Sequence, residues 1–319
     1  MKLGVTYLGN RFVRHFAERD LPEIVDAGCD FVVHTMSEHD LAFHSGESAG
    51  LIAATHEGGL EAWADCWGLG GLFAGEAFSN FLLRHPESWR TRLGGERIPI
   101  ACPNAPAFRE LLGGWVEAAA AAGADAVFFD DPMPPGADAA CVCAACRAAQ
   151  PAYLREREGG QTFPQWSIAR LIGRACADAR ARGMRSAVGV LPGAPEQGAG
   201  VLEQQLAAAR AADVVAVSPL WRAHGQPVAP YVADACARVA DACRETGQEP
   251  MAWLQAFGIP AGREEEIAQA AEAIASAGVA TISTWCYGAG EQMTAIRSER
   301  PREAWEAVAA SYRRLKAGG

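Results

Sequence analysis

The sequence lacks any uncharged apolar stretch that approaches about 18 residues, the length at which a segment becomes a candidate membrane-spanning helix. Its longest alanine-rich run, residues 116–127, carries Glu117 and Asp125. The sequence also lacks a basic cluster, because 28 Lys and Arg stand against 38 Asp and Glu and leave a net charge of −10. An acidic surface argues against binding to nucleic acid or to an anionic membrane. We therefore expect neither of these partners.

An export signal is also missing from the start of the chain. The first residues, MKLGVTYLGNRF, lead directly into a predicted strand, with no apolar signal region and no small-residue cleavage site. We expect a cytoplasmic protein on this basis. Ten cysteines in 319 residues are then expected to be thiols or metal ligands, because a reducing compartment disfavours a disulfide scaffold.

The chain does contain short β-prone runs that alternate eight times with longer amphipathic runs. The predicted strands are Leu3–Tyr7, Phe31–Thr35, Glu61–Ala64, Ala126–Asp130, Ser186–Leu191, Val214–Ser218, Met251–Gln255 and Thr281–Trp285. The predicted helices are Leu21–Ala27, Leu51–His56, Ala107–Ala122, Gln165–Arg182, Val201–Ala211, Ala229–Glu245, Arg263–Ala277 and Arg302–Lys316. Most strands are apolar at nearly every position, as strands buried on both faces of a parallel sheet are. The pattern predicts an α/β fold, a single (β/α)8 TIM barrel over residues 1–319, rather than an open doubly wound sheet.

Two long connections follow the third and fourth predicted strands, at residues 65–106 and 131–164. Both leave the carboxyl ends of strands, the face at which barrel enzymes carry their active sites. Connections of this length usually have a function, or a cross-link such as a metal site that stabilises them. We therefore look for the functional site in and beside them.

Four cysteines in these two connections form a candidate metal site. Cys141, Cys143 and Cys146 follow the pattern C-x-C-x-x-C in the second connection, and Cys102 lies in the first. Four thiolates from neighbouring loops can hold one tetrahedral Zn²⁺ as a closed structural site. Free surface thiols or a Cys141–Cys146 disulfide are the alternatives.

Polar and aromatic side chains gather at the ends of the predicted strands. The residues expected to bind substrate are Tyr7, His34, Glu38, Trp67, Asp130, Trp221, Gln255 and Trp285. Aromatic faces stack on the C–H faces of sugar rings while polar neighbours bind the hydroxyl groups. The pattern predicts a small carbohydrate as the substrate, although tryptophans that only cap the barrel core would give a similar pattern.

Glycoside hydrolysis needs two carboxyl groups beside the scissile bond, one of which protonates the leaving oxygen. Asp131 is the candidate for this acid, because repulsion from Asp130 beside it would raise its pKa. The candidates for the second catalytic carboxyl group are Asp65 and Glu76, with Glu38 and Glu291 as further options on the same face. A plain turn at residues 130–132 is the alternative for the acidic pair.

Residues 102–109, CPNAPAFR, are similar to the CPNSPAYR stretch of glycoside hydrolase family 42 β-galactosidases. In that family a helix, a strand that ends in Asn-Glu and a C-x-C-x-x-C cluster follow, and the four cysteines bind zinc. This sequence keeps that order over residues 99–153. The resemblance implies a barrel glycosidase with zinc on its four cysteines and with Asp131 at the position of the family's acid/base.

The sequence departs from that family at both catalytic positions. The family's acid/base is a glutamate preceded by asparagine, whereas Asp131 is preceded by Asp130. The family's nucleophile is a glutamate at the end of the seventh strand, where this chain has Gln255. We therefore expect a shortened, divergent relative whose second carboxylate comes from elsewhere, and we favour inversion slightly, with an activated water in place of the nucleophile.

Two other functions stay open from the sequence. One is a catalytically silent sugar-binding barrel, and the other is a metal-dependent sugar isomerase that uses His34 and His39. The isomerase is the weaker alternative, because the fifth to eighth strands end in Leu191, Ser218, Gln255 and Trp285, which supply no carboxylate. A homo-oligomer is compatible with all of these functions.

Overall fold

The computed structural model describes residues 1–8, 12–75, 78–132, 140–193, 200–293 and 295–318. The strands within these ranges are β1 (Lys2–Tyr7), β2 (Phe31–Thr35), β3 (Glu61–Asp65), β4 (Trp89–Thr91), β5 (Arg97–Ala101), β6 (Ala126–Phe129), β7 (Arg185–Val190), β8 (Val214–Val217), β9 (Glu249–Gln255) and β10 (Thr281–Trp285). Eight of them close into a parallel barrel in the order β1-β10-β9-β8-β7-β6-β3-β2. The predicted TIM barrel is confirmed, and the prediction that the whole chain is one domain stays a prediction.

Helices surround the barrel. They are α1 (Val13–His15), α2 (Leu21–Asp26), α3 (Glu38–Phe43), α4 (Ser45–Glu57), α5 (Asn80–Arg84), α6 (Pro106–Ala121), α7 (Ala144–Glu156), α8 (Phe163–Ala181), α9 (Gly200–Ala209), α10 (Val228–Thr246), α11 (Glu265–Ser276) and α12 (Pro301–Ala317). A π-helical stretch, Phe16–Asp20, joins α1 to α2, so the first helical region begins well before the predicted Leu21. In the part of the chain that the structure describes, no helix is both long and apolar enough to cross a membrane.

Large side chains fill the interior of the barrel. The rings of Phe31 and Trp63 stack with their centroids 4.5 Å apart, and Phe128 meets Trp253 edge-on at 5.1 Å. A Cβ atom on Gly4 would lie 2.3 Å from the Phe31 ring, so the ring needs a glycine there. The interior is therefore a packed core, as in other barrels of this type, and ligands are expected above the carboxyl ends of the strands.

Both long connections contain regular structure that the sequence analysis did not predict. The first holds α5 and the antiparallel β4–β5 ribbon, and the second holds α7. The two connections contact each other, because the backbone N–H of Val142 donates to the carbonyl oxygen of Thr91 at 2.8 Å. This contact brings the four predicted cysteine ligands close together.

Candidate functional site

The sulfur atoms of Cys102, Cys141, Cys143 and Cys146 all lie within 4.8 Å of one another, and all four residues are buried. The Cys102 Sγ atom lies 3.4 Å from that of Cys146, 3.5 Å from that of Cys143 and 4.0 Å from that of Cys141. A disulfide would need about 2.05 Å. The observed separations instead fit a tetrahedron of sulfurs about 2.3 Å from its centre, whose edges are about 3.8 Å. The cluster is consistent with a structural metal site.

Hydrogen-bond donors surround these sulfurs. The backbone N–H of Thr91 donates to Cys141 Sγ at 3.3 Å, and Asn104 Nδ2 lies 3.5 Å from Cys146 Sγ. Arg90 is 4% exposed, and its guanidinium group hydrogen-bonds Cys141. Donors and a buried positive charge stabilise thiolates, which are the form in which cysteine binds metal ions. These contacts would stabilise thiolates at Cys141 and Cys146 in particular.

Three aspartates gather at the carboxyl ends of two neighbouring barrel strands. Asp65 is the last residue of β3, and Asp130 and Asp131 directly follow β6. Asp65 is 2% exposed and Asp130 is 8% exposed. The Oδ1 atoms of Asp65 and Asp131 are buried and have no hydrogen-bond partner within the described residues. We call these three residues the aspartate cluster.

Burial raises the pKa of every carboxyl group in the aspartate cluster. For Asp65 the charge of Asp131 adds to the effect of burial on the pKa, and for Asp130 the charges of Asp131 and Asp65 both add to it. Burial raises the pKa of Asp131 to about 7. Neighbouring buried carboxylates cannot all be ionised, so the three groups share protons and titrate together. A carboxyl group with a pKa near 7 can donate a proton at neutral pH.

A small cavity opens against the aspartate cluster, and we call it the inner cavity. It has a volume of about 220 Å³ and is lined by Trp67, Ala74, Gly75, Asp130, Asp131, Ser218, Leu220, Trp253, Phe257, Trp285 and Ile296. Most of its wall is aromatic or aliphatic, and the two aspartates supply its carboxyl groups. Its volume lies below the roughly 300–1,000 Å³ of pockets for drug-sized ligands, which favours a ligand as small as one sugar ring.

Gly189 of β7 lies directly against the two inner-cavity aspartates. A Cβ atom at this position would lie 2.7 Å from Asp131 Oδ1 and 3.2 Å from Asp130 Oδ1. Both carboxyl groups therefore approach the same point of the β7 backbone. They form one wall of the cavity, on the β6–β7 side of the barrel.

A second and larger cavity, the outer cavity, lies beside the inner one. It has a volume of about 990 Å³ and shares Trp67 with the inner cavity. Asp20 lies on its wall and accepts hydrogen bonds from Tyr7 Oη at 2.6 Å and from Tyr287 Oη at 3.3 Å. The Trp67 indole stacks on Trp285 with the ring centroids 5.5 Å apart. The Trp67–Trp285 pair therefore stands where the two cavities meet.

The predicted site residues fall into two groups. Asp130, Asp131, Trp67 and Trp285 line the inner cavity, Tyr7 lines the outer cavity, and Asp65 lies within the aspartate cluster without lining the inner cavity. Glu76 lies outside the described residues. Glu291, the other option for a carboxylate, lines the outer cavity.

The other predicted residues are buried and bonded to neighbouring segments. The Glu38 carboxylate accepts hydrogen bonds from Ser79 Oγ at 2.6 Å and from two backbone N–H groups, so it holds the third-strand loop in place. His34 Nε2 lies 2.8 Å from Thr55 Oγ1, and burial lowers the pKa of this histidine to about 3, which keeps its ring neutral.

Trp221 and Gln255 belong to the same buried group. Trp221 is 1% exposed and donates from Nε1 to Glu266 Oε2 at 3.1 Å. Gln255 is also 1% exposed; its Oε1 accepts from the Arg222 backbone N–H at 3.2 Å, and its Nε2 donates to the Phe257 carbonyl oxygen at 3.0 Å. Both ends of this amide are engaged with protein backbone, and Gln255 does not line either cavity.

The sequence analysis missed several residues that line the cavities. Ser218 and Phe257 follow strand ends, so their place in the sequence was a usable signal for the inner cavity. Asp20 of the outer cavity comes from the first helical region. Nothing in the local sequence of Asp20 pointed to the mouth of the barrel.

Within the described ranges, the four cysteines are the one group of three or more His, Cys, Asp or Glu residues with donor atoms close enough for a shared metal ion. The carboxylate oxygens of the aspartate cluster do not form a second group of this kind. The metal-dependent isomerase therefore lacks a ligand set among the described residues of the mouth.

No family model and no curated protein sequence matches this chain. Its structure is similar to that of a β-galactosidase from the Antarctic haloarchaeon Halorubrum lacusprofundi, with a TM-score of 0.74 and 13% identity over 99% of this chain and 58% of that chain. It is also similar to the catalytic domain of a β-amylase from Paenibacillus polymyxa, with a TM-score of 0.60 and 12% identity over 98% of each chain. A third similar structure is that of a D-allulose 3-epimerase from Methylomonas sp. in complex with D-allulose. Its TM-score is 0.55 and its sequence identity is 11%, over 99% of this chain and 96% of that chain.

The chain thus spans less than two thirds of the length of the β-galactosidase. At identities of 11–13% these similarities establish the barrel fold of this chain and leave its chemistry to the site itself.

Proposed function

We propose that this chain is a glycoside hydrolase that cleaves a small glycoside in the inner cavity, with Asp131 as the general acid. The observation that carries the proposal is the buried aspartate cluster, two of whose carboxyl groups line an aromatic cavity at the carboxyl end of the barrel. Glycoside hydrolysis uses carboxyl groups beside the scissile bond. Fold similarity to a β-galactosidase and a β-amylase supports the same class of substrate.

Asp131 suits the role of the acid for an electrostatic reason. Burial favours its neutral form and raises its pKa to about 7, so a large fraction of the protein holds a proton there at neutral pH. An acid with a pKa near the working pH combines availability of the proton with readiness to release it.

The walls of the inner cavity support a sugar as the ligand. Trp67, Trp253, Trp285 and Phe257 present aromatic surface, and Ser218 and the two aspartates present polar atoms. Sugar rings have apolar C–H faces and a rim of hydroxyl groups, so aromatic walls with a few polar groups match both features. The small volume favours one ring, and therefore cleavage from the end of a chain.

The outer cavity is the proposed place for the leaving group. It adjoins the inner cavity at Trp67, which lines both, and its own lining includes Phe12 and Phe78, which are 69% and 68% exposed. Large aromatic side chains exposed at a cavity rim are typical of ligand contact. A proton from Asp131 would then reach the bond between the sugar ring and this leaving group.

We further propose that the four cysteines bind one structural Zn²⁺. The sulfur separations and the donors around the sulfurs fit a tetrahedral site closed by four thiolates. Such a site leaves no open coordination position for substrate. Its role would be to join the two long connections that flank the mouth, since Cys102 belongs to one and the other three cysteines to the second.

A catalytically silent sugar-binding barrel is the second candidate, and Gln255 favours it. This neutral residue ends β9 at the point where the resembling family has its nucleophile, and both ends of its amide are bonded to backbone. Such a barrel would bind sugars in the same cavity without cleaving them.

Hydrolysis of a panel of aryl glycosides separates the two candidates. The proposal predicts that the wild-type protein releases the aryl group from at least one sugar, and that Asp131→Asn lowers kcat by about 10²–10⁴-fold with sugar binding retained. Asp234→Asn is the matched control, because Asp234 lies on α10 with its side chain 72% exposed. Sugar binding without turnover in the wild type would favour the silent barrel.

A further inference from the structure

The inner cavity poses a problem for both standard forms of glycoside hydrolysis. Each form needs a second carboxylate on the side of the sugar ring opposite the leaving group, as nucleophile or as base for water. The carboxyl groups on the described lining of the inner cavity are those of Asp130 and Asp131, and both lie against Gly189. They therefore approach a bound ring from one wall.

The facing wall offers no replacement among the described lining residues. In an eight-stranded barrel β10 lies opposite β6, and β10 contributes Trp285. The strands between them contribute Ser218, Leu220, Trp253 and Phe257, of which none is ionisable. Gln255, at the end of β9, is neutral and fully engaged with backbone groups. Among the described lining residues, the wall opposite the acid thus carries no ionisable side chain.

We propose that the substrate supplies the nucleophile itself, and that this chain hydrolyses glycosides of 2-acetamido-2-deoxy sugars. The inference rests on the proposed glycosidase function and names its substrate class. In such a sugar the leaving oxygen is bonded to C1 and the acetamido nitrogen to the adjacent C2, so these two atoms lie close together. Two adjacent carboxyl groups on one wall can serve these two atoms together, with Asp131 at the oxygen and Asp130 at the N–H group. Substrate-assisted hydrolysis of this kind is a known exception to the two-carboxylate rule.

The first step conserves every proton and electron pair. The acetamido carbonyl oxygen forms a bond to C1 as the bond from C1 to the leaving oxygen breaks, and the bonding electrons go to that oxygen. The Asp131 carboxyl group donates its proton to the leaving oxygen. The Asp130 carboxylate takes the N–H proton, which leaves a neutral oxazoline fused to the sugar ring.

The second step reverses these proton transfers. A water molecule attacks C1, the bond from C1 to the acetamido oxygen breaks, and the Asp131 carboxylate accepts a proton from the water. Asp130 returns its proton to the nitrogen. The sum is addition of one water across the glycosidic bond, with retained configuration at C1 and no other reactant. This outcome replaces the inversion that the sequence favoured.

The aspartate cluster supplies the proton that the first step transfers. Repulsion and burial prevent all three carboxyl groups from being ionised together, so the cluster keeps protons near neutral pH. The first step uses the state in which Asp131 holds one of these protons and Asp130 is ionised. Asp65 is buried beside them and does not line the inner cavity, so it is a positioning residue that holds a proton. The apolar wall also offers contact surface for the methyl group of the acetamido substituent.

The first test compares p-nitrophenyl glycosides of N-acetylglucosamine and N-acetylgalactosamine with those of glucose and galactose. We expect kcat/KM at least about 100-fold higher for one of the acetamido substrates. Replacement of its acetyl group by trifluoroacetyl, whose carbonyl oxygen is less nucleophilic, should lower kcat at least about tenfold. Equal hydrolysis of the plain hexosides, or no loss with trifluoroacetyl, overturns the inference and leaves the glycosidase proposal standing.

The second test looks for a protein nucleophile directly. The 2-deoxy-2-fluoro glycosides of glucose and galactose trap a carboxylate nucleophile as a stable ester, so we expect the intact mass of the protein to stay unchanged. An added glycosyl mass on any residue, Glu76 included, overturns the inference.

The third test does not depend on turnover. The thiazoline derived from N-acetylglucosamine is a stable analogue of the oxazoline, and calorimetry should show that it binds at least about 100-fold more tightly than N-acetylglucosamine. Asp130→Asn should remove most of this advantage while the fold, followed by circular dichroism, is kept. Equal affinity for the two ligands would contradict the inference even if no glycoside in the panel is cleaved, whereas tight thiazoline binding without any cleavage would count against the glycosidase proposal alone.

Discussion

The backbone nitrogen of Asp131 lies so close to Gly189 that a Cβ atom on residue 189 would be 2.7 Å from it. Because real Cβ atoms do not approach backbone atoms to that distance, Gly189→Ala should push residue 131 away from its position against β7. We expect kcat to fall by at least about tenfold, since misplacement of a catalytic group by about 1 Å costs about 10²-fold in rate. Steady-state kinetics on the best aryl glycoside measures this loss.

Gly173→Ala is the matched control for Gly189→Ala. Gly173 lies within α8, and an added Cβ would be 3.8 Å from the Ala211 Cβ, which is ordinary contact. Alanine favours helix over glycine by about 0.5–1 kcal/mol, so this variant should keep full activity and equal or higher stability. Loss of activity in both variants, or in neither, would contradict the positional role of Gly189.

The pH dependence of hydrolysis follows from the protonation of Asp131. Burial raises the pKa of this carboxyl group to about 7, and a general acid works only while it holds its proton. We therefore expect kcat/KM to be lost as pH rises through about 7, by about tenfold per pH unit at higher pH. A pH–rate profile measures it, and an alkaline limb centred near the pKa of an exposed aspartate, about 4, would contradict the assignment.

The raised pKa of Asp65 predicts that the free energy of unfolding depends on pH. Burial and the charge of Asp131 raise the pKa of Asp65 above its value of 3.8 in the unfolded chain, so the folded state binds this proton more tightly. The contribution of Asp65 to the free energy of unfolding is therefore present at pH 4 and lost as pH rises through the folded pKa. Asp65→Asn removes the ionisable group, and its melting temperature relative to wild type should rise between pH 4 and pH 8.

Differential scanning calorimetry at several pH values tests this prediction, and 1 kcal/mol corresponds to roughly 2–4 °C in a domain of 150–250 residues. Asp234→Asn serves again as the control, since its side chain is 72% exposed. A difference between Asp65→Asn and wild type that is constant over this pH range would contradict the raised pKa of Asp65.

The cysteine cluster predicts one zinc ion per chain with four sulfur neighbours at about 2.3 Å, measurable by elemental analysis and X-ray absorption on untreated protein. Cys102→Ser should lower both the zinc content and the melting temperature, because this ligand joins one long connection to the other. Cys236→Ser is the control, since Cys236 is buried in α10 and lies outside the cluster. Less than about half an equivalent of zinc in the wild type would count against the assignment.

Much of the fold follows from local patterns in the sequence. The strands Phe31–Thr35 and Thr281–Trp285 have the predicted bounds. The first begins with an apolar run, and the second is rich in β-branched and aromatic residues, which favour strands. The helix α7 was missed since Pro151 lies inside it, and proline within a run normally argues against a helix. The β4–β5 ribbon was missed because its strands are short and alternate weakly.

The candidate site was only partly predictable, because proximity across a barrel depends on how distant strands pair. The order of the motif and the strand end pointed to Asp131, whereas the approach of Gly189 to it depends on the pairing of β6 with β7. Glu38 stands after a strand end like a catalytic residue, yet the loop after β3 folds over it and uses both of its oxygens. Local sequence does not distinguish a strand-end carboxyl group that lines a cavity, as in Asp131, from one that is bonded to a neighbouring loop, as in Glu38.

The most direct test of the central claim is the dependence of hydrolysis on the leaving group in wild type and in Asp131→Asn. An alcohol with a high pKa needs a proton from the general acid in order to leave, whereas 2,4-dinitrophenolate does not. If Asp131 is that acid, Asp131→Asn should lose about 10²–10⁴-fold in kcat/KM on an alkyl glycoside and less than about tenfold on the dinitrophenyl glycoside of the same sugar. An equal loss on both substrates, or no loss on either, would contradict the assignment of Asp131 as the acid.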